Sequence, residues 1–92
     1  QIGKLSNLTF LSLANNELES LPQEIGQLRK LSTLELQSNR LKELPRKTGR
    51  LTQLLELNLS GNKLESLFPE IGQLTKLKKL IVYGNELLEL PD

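Results

Sequence analysis

The sequence predicts an α/β solenoid, in which short parallel strands line a concave face and mostly 3-10 or extended segments form the convex face. Three observations predict this fold class. The 92-residue chain repeats itself with a period of 23 residues. In part of each repeat, leucines alternate with polar residues, which is typical of a strand with one buried face. The remainder of each repeat carries Pro or Gly, which limit regular α-helix.

The period appears as aligned columns of identical residue types. One column of leucines is Leu11, Leu34, Leu57 and Leu80, and a second is Leu8, Leu31, Leu54 and Leu77. A period of this length indicates stacked coils, because one repeat can bury its apolar face only against its neighbours. Strands stack about 4.8 Å apart, and the return segments are bulkier, so we expect the stack to curve with the sheet on the inside.

An asparagine follows each predicted strand at a constant offset from two leucines. Its amide both donates and accepts hydrogen bonds, so it can bond the backbone of its own turn and that of the neighbouring coil. We therefore expect a buried ladder of structural amides, although an exposed turn asparagine is the alternative interpretation. The ladder comprises Asn16, Asn39, Asn62 and Asn85.

The full pattern, L-x-x-L-x-L-x-x-N-x-L-x-x-L-P-x-x-I-G-x-L, resembles the leucine-rich repeat over the whole chain. Its LPxxIGxL form is similar to Ras-suppressor-like, plant Ras-group and bacterial intracellular leucine-rich repeat proteins. The resemblance implies a curved right-handed coil that binds proteins on its concave sheet, as a scaffold or sensor. In some relatives the array is joined to a GTPase or kinase domain. The resemblance supplies no catalytic residues.

We expect residues 1–92 to form a single segment of about four 23-residue repeats within a longer array. Neither end shows the polar cap that usually closes a solenoid. Self-association through uncapped ends is a further expectation, because open strand edges favour pairing. The leucines expected to face water or a partner are Leu5, Leu8 and Leu11 at one end and Leu80, Leu87 and Leu90 at the other.

Two positions depart from the repeat. Thr48 replaces the isoleucine of the Ile-Gly pair, and we expect its hydroxyl to find a local hydrogen bond. Phe68 occupies the proline column and displaces the proline to position 69. We expect the ring to lie half exposed over the outer face, where it packs onto its own coil; a contact patch is the alternative.

The residue inventory argues against an enzyme. The chain contains no His and no Cys, which removes the usual catalytic triads and zinc clusters. We expect no cofactor, metal site or small-molecule substrate, and the glutamates at positions 17 and 19 lie on a solvated loop. The lack of cysteine favours a reducing, cytoplasmic compartment. No apolar run approaches the ~20 residues of a membrane span.

Nucleic-acid binding has little support. The net charge is only +1 and aromatic residues are 3% of the chain, so stacking platforms are nearly missing. Basic residues do concentrate on one rim, which could contact phosphates, and glutamates lean toward the other. The rim's basic residues are Lys4, Arg29, Lys30, Arg46, Lys47, Arg50, Lys76, Lys78 and Lys79. A solvated charged surface is the simpler interpretation.

The candidate partner site is the outward face of the strands. Tyr83, Ile81 and Lys79 form the predicted anchor on one strand, where earlier repeats place polar residues. Tyrosine is favoured in interface hot spots. Phe10 lies at the far edge, and Glu35 and Glu56 lie between. Two alternatives stay open: the last strand adapts to a neighbouring repeat, and Glu56 pairs with Lys79.

The sequence therefore predicts a protein-interaction module that binds a protein or peptide on the concave sheet. The alternative from another class is a structural spacer or targeting arm of a larger signalling protein. A polyanion binder that uses the basic rim is a third, weaker alternative.

Overall fold

The computed structural model describes residues 6–87, and these form the predicted coil of strands and 3-10 helices. The four strands are β1 (Phe10–Ser12), β2 (Thr33–Glu35), β3 (Glu56–Asn58) and β4 (Lys79–Ile81). A 3-10 helix lies between each pair of successive strands: Gln23–Gln27, Arg46–Arg50 and Pro69–Gln73. The fold class predicted from the period is thus confirmed.

The strands form one parallel sheet in the order β1-β2-β3-β4. The register follows the sequence period, so that Leu11 pairs with Leu34, Leu34 with Leu57 and Leu57 with Leu80. Hydrogen bonds continue past the strand ends, as where the Leu13 amide donates to the Glu35 carbonyl at 2.8 Å. Each coil therefore lies in the same orientation on the one before it.

The core lies between the sheet and the 3-10 helices and consists almost entirely of leucine. Residues of the two middle coils are fully buried, among them Leu34, Leu36, Leu41, Leu57 and Leu59. The corresponding residues of the outer coils are partly buried, because the described residues cover them on one side only: Leu8, Leu11, Leu13, Leu18, Leu77, Val82 and Leu87. Leu80 is 37% exposed. Leu5 and Leu90 lie outside the described residues, and self-association through these ends stays a prediction.

The convex side is held together by close backbone contact between successive 3-10 helices. A Cβ atom added to Gly26 would lie 2.6 Å from the Lys47 carbonyl oxygen, so no side chain fits there. None of the helices among residues 6–87 is long and apolar enough to cross a membrane.

The expectation that Phe68 lies half exposed was wrong. Its ring is 7% exposed and belongs to the core. Phe68 has the extended backbone (φ −63°, ψ 139°) that Pro22 and Pro45 adopt before the other two helices. Pro69 then begins the third helix, where a missing N–H costs nothing. The displaced proline thus leaves the helix in register, and the apolar ring gains by leaving water.

The expectation for the Thr48 hydroxyl was also wrong. Thr48 is fully buried, and its Oγ1 has no hydrogen-bond partner within the described part of the chain. The residue occupies the repeat position of Ile25, which belongs to the apolar core, and of Ile71, which packs against it.

Candidate functional site

The concave surface is formed by the two outward residues of each strand. The residue two positions after the end of each strand completes it. Because side chains alternate across a strand, the buried leucines place these residues on the opposite, solvent side. Its members are Phe10, Ser12 and Ala14; Thr33, Glu35 and Gln37; Glu56, Asn58 and Ser60; and Lys79, Ile81 and Tyr83.

The structure places all six predicted partner-binding residues on this surface, but not in one cluster. Tyr83 is 74% exposed and follows β4, which carries Lys79 and Ile81. Phe10 is 55% exposed on β1. Three strand spacings separate the two edges, about 14 Å.

The charged residues of the concave surface do not form ion pairs with one another. Glu56 and Lys79 are directly opposite in the register of β3 and β4. Nevertheless, the ion pairs found within residues 6–87 lie elsewhere: Arg40 with Glu17 at 3.6 Å and Arg46 with Glu70 at 4.0 Å. Glu56 and Lys79 therefore do not form the ion pair that was the alternative for these residues.

A shallow groove of about 100 Å³ runs across β2, β3 and β4. Glu35, Glu56, Lys79 and Ile81 line it together with polar neighbours. Gln37, two residues after Glu35, has a buried Oε1 that accepts no hydrogen bond from any described residue. The groove thus combines carboxylates of β2 and β3 with the ammonium group and the aliphatic side chain of β4.

Two members of the surface are less available than the alternation pattern suggests. Ser60 is buried, and its hydroxyl donates to Asn58 Oδ1 at 2.8 Å. The Ser60 amide donates to the same oxygen at 3.1 Å. The Asn58 side-chain oxygen is therefore occupied by hydrogen bonds within its own turn. Ile81 and Tyr83 are then the larger contact groups at this end of the sheet.

Asparagine side chains fix the turns that follow the strands. The Asn62 Oδ1 accepts the Leu41 amide of the preceding coil at 3.0 Å. Its Nδ2 donates to the carbonyls of Leu36 at 2.9 Å, Leu59 at 3.0 Å and Ser60 at 3.3 Å. The amide thereby bonds its own turn and the neighbouring coil at once, which holds the concave surface rigid.

The other ladder positions vary with their neighbours. Asn39 is buried and Asn85 half-buried, and both repeat the bonds of Asn62 with partners one coil away. Asn16 is exposed and bonds only to the Leu13 and Ala14 carbonyls of its own turn. The reason is that the described residues contain no coil on its N-terminal side.

Sequence reasoning missed the residue just before each asparagine. Asn15 and Ser38 have φ near +61°, and Gly61 and Gly84 have φ of +67° and +72°. This left-handed backbone reverses the chain after every strand and aims the amide inward. The available signal was composition, because Asn, Ser and Gly in one column are residues favoured in turns.

No group of three or more acidic, His or Cys side chains within residues 6–87 is arranged to hold a metal ion.

Comparison with known proteins agrees with this architecture. A family model described as a leucine-rich repeat region matches residues 1–92. A leucine-rich repeat protein of Leptospira interrogans has a similar structure, with a TM-score of 0.86 and 40% sequence identity. The match covers 98% of this chain and 29% of that one.

An internalin of Listeria monocytogenes is similar in fold, with a TM-score of 0.72 and 23% identity over 94% of this chain and 31% of that one. This chain therefore spans less than a third of the length of both solved proteins. Among curated proteins, none is significantly similar in sequence.

Proposed function

Because the chain belongs to the leucine-rich repeat family, whose members are typically protein-interaction modules rather than enzymes, we propose that it binds a protein or peptide on its concave surface. The observation that carries this proposal is the pair formed by half-buried Ile81 on β4 and exposed Tyr83 in the turn that follows. Tyr83 and Ile81 place a ring and an aliphatic side chain at outward positions where the preceding strand has polar residues.

Rigidity supports the proposal. The side chains project from hydrogen-bonded strands, and the turns are fixed by buried amides. Association then costs little ordering of the binding surface. Tyr83 in particular offers a large, rigid contact area at a low entropy cost.

Charge supports it as well. The carboxylates of Glu35 and Glu56 and the ammonium of Lys79 have no ion-pair partner among the described residues. Such groups steer association and reject like-charged partners more than they add affinity. A partner segment that crosses the strands would meet the two carboxylates first and the Lys79–Tyr83 group next.

The experiment is a titration of a purified partner, isolated by affinity capture, against the wild-type chain and two variants. Tyr83→Ala with Ile81→Ser removes the anchor and should weaken binding about tenfold or more. Gln23→Ala with Gln73→Ala makes a matched truncation at exposed convex positions and should leave affinity unchanged.

Equal affinity of the anchor variant and the wild type would exclude the concave surface as the binding site. Loss of affinity in the convex variant alone would place the contact on the other face. If no captured protein depends on either face, the segment serves as a spacer or targeting arm.

A further inference from the structure

We propose a second, independent site: a cationic groove on the convex face that binds a compact phosphate-bearing anion. The groove lies between the helices Gln23–Gln27 and Arg46–Arg50 and has a volume of about 330 Å³. This volume lies at the lower end of the range for small-molecule pockets. The site shares no residue with the concave surface.

The side chains that line this groove are mostly donors. Arg29, Lys47 and Arg50 supply three positive charges and Glu24 one negative charge, so the groove carries a net charge of 3 − 1 = +2. Gln23 and Gln27 add amide donors. Guanidinium groups bind phosphate through two parallel hydrogen bonds, which makes phosphate the anion best matched to this lining.

The cations of the groove are not engaged by other described residues. No carboxylate within residues 6–87 forms an ion pair with Arg29, Lys47 or Arg50. The next cation, Arg46, instead contacts Glu70 of the third helix at 4.0 Å. The second helix thus directs one cation toward the third coil and two toward the groove.

The charge of the second helix is specific to that coil. Lys47 occupies the position of Glu24 and Glu70, and Arg50 that of Gln27 and Gln73. The packing of the solenoid does not require these cations, because both flanking coils pack with neutral or acidic residues at the same places. Gly26 lets the two helices approach until its Cα faces the Lys47 carbonyl, which brings the cations of both coils to one groove.

The basic residues of the rim that lie outside the groove offer a weaker site for a long polyanion. Two of the rim's lysines are engaged by neighbouring amides: Lys30 by Asn7 at 3.2 Å and Lys76 by Gln53 at 2.9 Å. The groove is bounded by two coils and carries no aromatic side chain on which bases could stack. A compact anion therefore fits better than a nucleic-acid strand.

The test is calorimetric titration of the 92-residue chain with inorganic pyrophosphate, together with sedimentation against vesicles that contain phosphatidic acid. Binding of pyrophosphate assigns the site to a soluble phosphate, whereas binding of phosphatidic acid vesicles without pyrophosphate binding assigns it to a lipid headgroup. Phosphatidylserine vesicles are the control for an anionic membrane whose phosphate is a diester, since phosphatidic acid and pyrophosphate both carry a terminal phosphate.

Three variants decide the location. Lys47→Glu with Arg50→Gln installs residues that the flanking coils already carry and should weaken binding about tenfold or more. Glu24→Gln removes the one negative charge of the groove, which repels an anion, and should tighten binding at least about twofold. Lys63→Glu with Lys42→Gln makes the same total change of charge outside the groove and should leave affinity unchanged.

Absence of binding to both pyrophosphate and phosphatidic acid would overturn the proposal. The proposal would also be overturned if the groove variant and the charge-matched variant outside the groove weakened binding equally. Equal binding to phosphatidylserine and phosphatidic acid vesicles would overturn it too. In both cases the attraction would be to negative charge in general. If the Lys47 and Arg50 variant does not fold, the effect of Glu24→Gln decides the outcome.

Discussion

At the scale of single residues, the buried amide is the group on which each turn depends. Asn62 satisfies one amide and three carbonyls, two of its four partners being in the preceding coil. Apolar side chains cannot replace these bonds, and buried backbone groups without partners are costly. The same residue type at Asn16 bonds only its own turn, which gives a natural comparison within one chain.

Asn62→Ala should lower the free energy of unfolding by at least about 2 kcal/mol, because it strands buried donors and acceptors that cost about 1–3 kcal/mol each. Asn16→Ala removes two exposed bonds and should cost less than about 1 kcal/mol. Urea denaturation of both variants measures the difference. Equal losses would show that burial of the amide is not what stabilises the turn.

Thr48→Val should raise the free energy of unfolding by about 1 kcal/mol, because a buried hydroxyl without a partner is replaced by a methyl of similar size. Thermal and urea unfolding measure the change. Thr52→Val, at an exposed position, is the control and should have little effect. A loss of stability in Thr48→Val would mean that the hydroxyl has a partner, such as a buried water.

At the scale of the elements, the alternating leucines predicted each strand and its buried face correctly, since a strand has only two faces and the period aligns them. The burial of Phe68 was not predictable in the same way. The proline column suggests a surface turn, whereas the outcome depends on whether the displaced proline can begin the helix. Likewise, the register of Glu56 and Lys79 follows from the period, but their failure to pair depends on side-chain conformation.

Two glycines of the convex helices should respond differently to substitution by alanine. Gly26→Ala should cost about 1–3 kcal/mol, because its Cβ would lie 2.6 Å from the Lys47 carbonyl oxygen and the coils must separate. Gly72→Ala places its Cβ where no described atom lies within 4 Å, so stability should stay equal or rise slightly. Chemical denaturation compares the two, and a reversed order would contradict the close contact of the first two helices.

At the scale of the whole molecule, one repeated packing solution produces two different faces. The concave face presents outward strand residues that the sequence period identifies, and this is why the six candidate residues could be named before the structure. The convex groove could not be named, because it requires knowing that Arg29 and Arg50, from different coils, border the same space. The 23-residue period predicts the repeated strands and core. The groove depends on cations that the second helix carries and the flanking helices do not.

Recognition by the concave sheet can be measured as an amide NMR footprint of the purified partner on the labelled chain. If the concave sheet binds the partner, resonances of the concave-surface residues should shift, while those of Gln23–Gln27 and Arg46–Arg50 should not. The concave-surface residues concerned are Phe10, Glu35, Glu56, Lys79, Ile81 and Tyr83. Shifts confined to the two helices, with the concave-surface residues unchanged, would contradict recognition by the concave sheet.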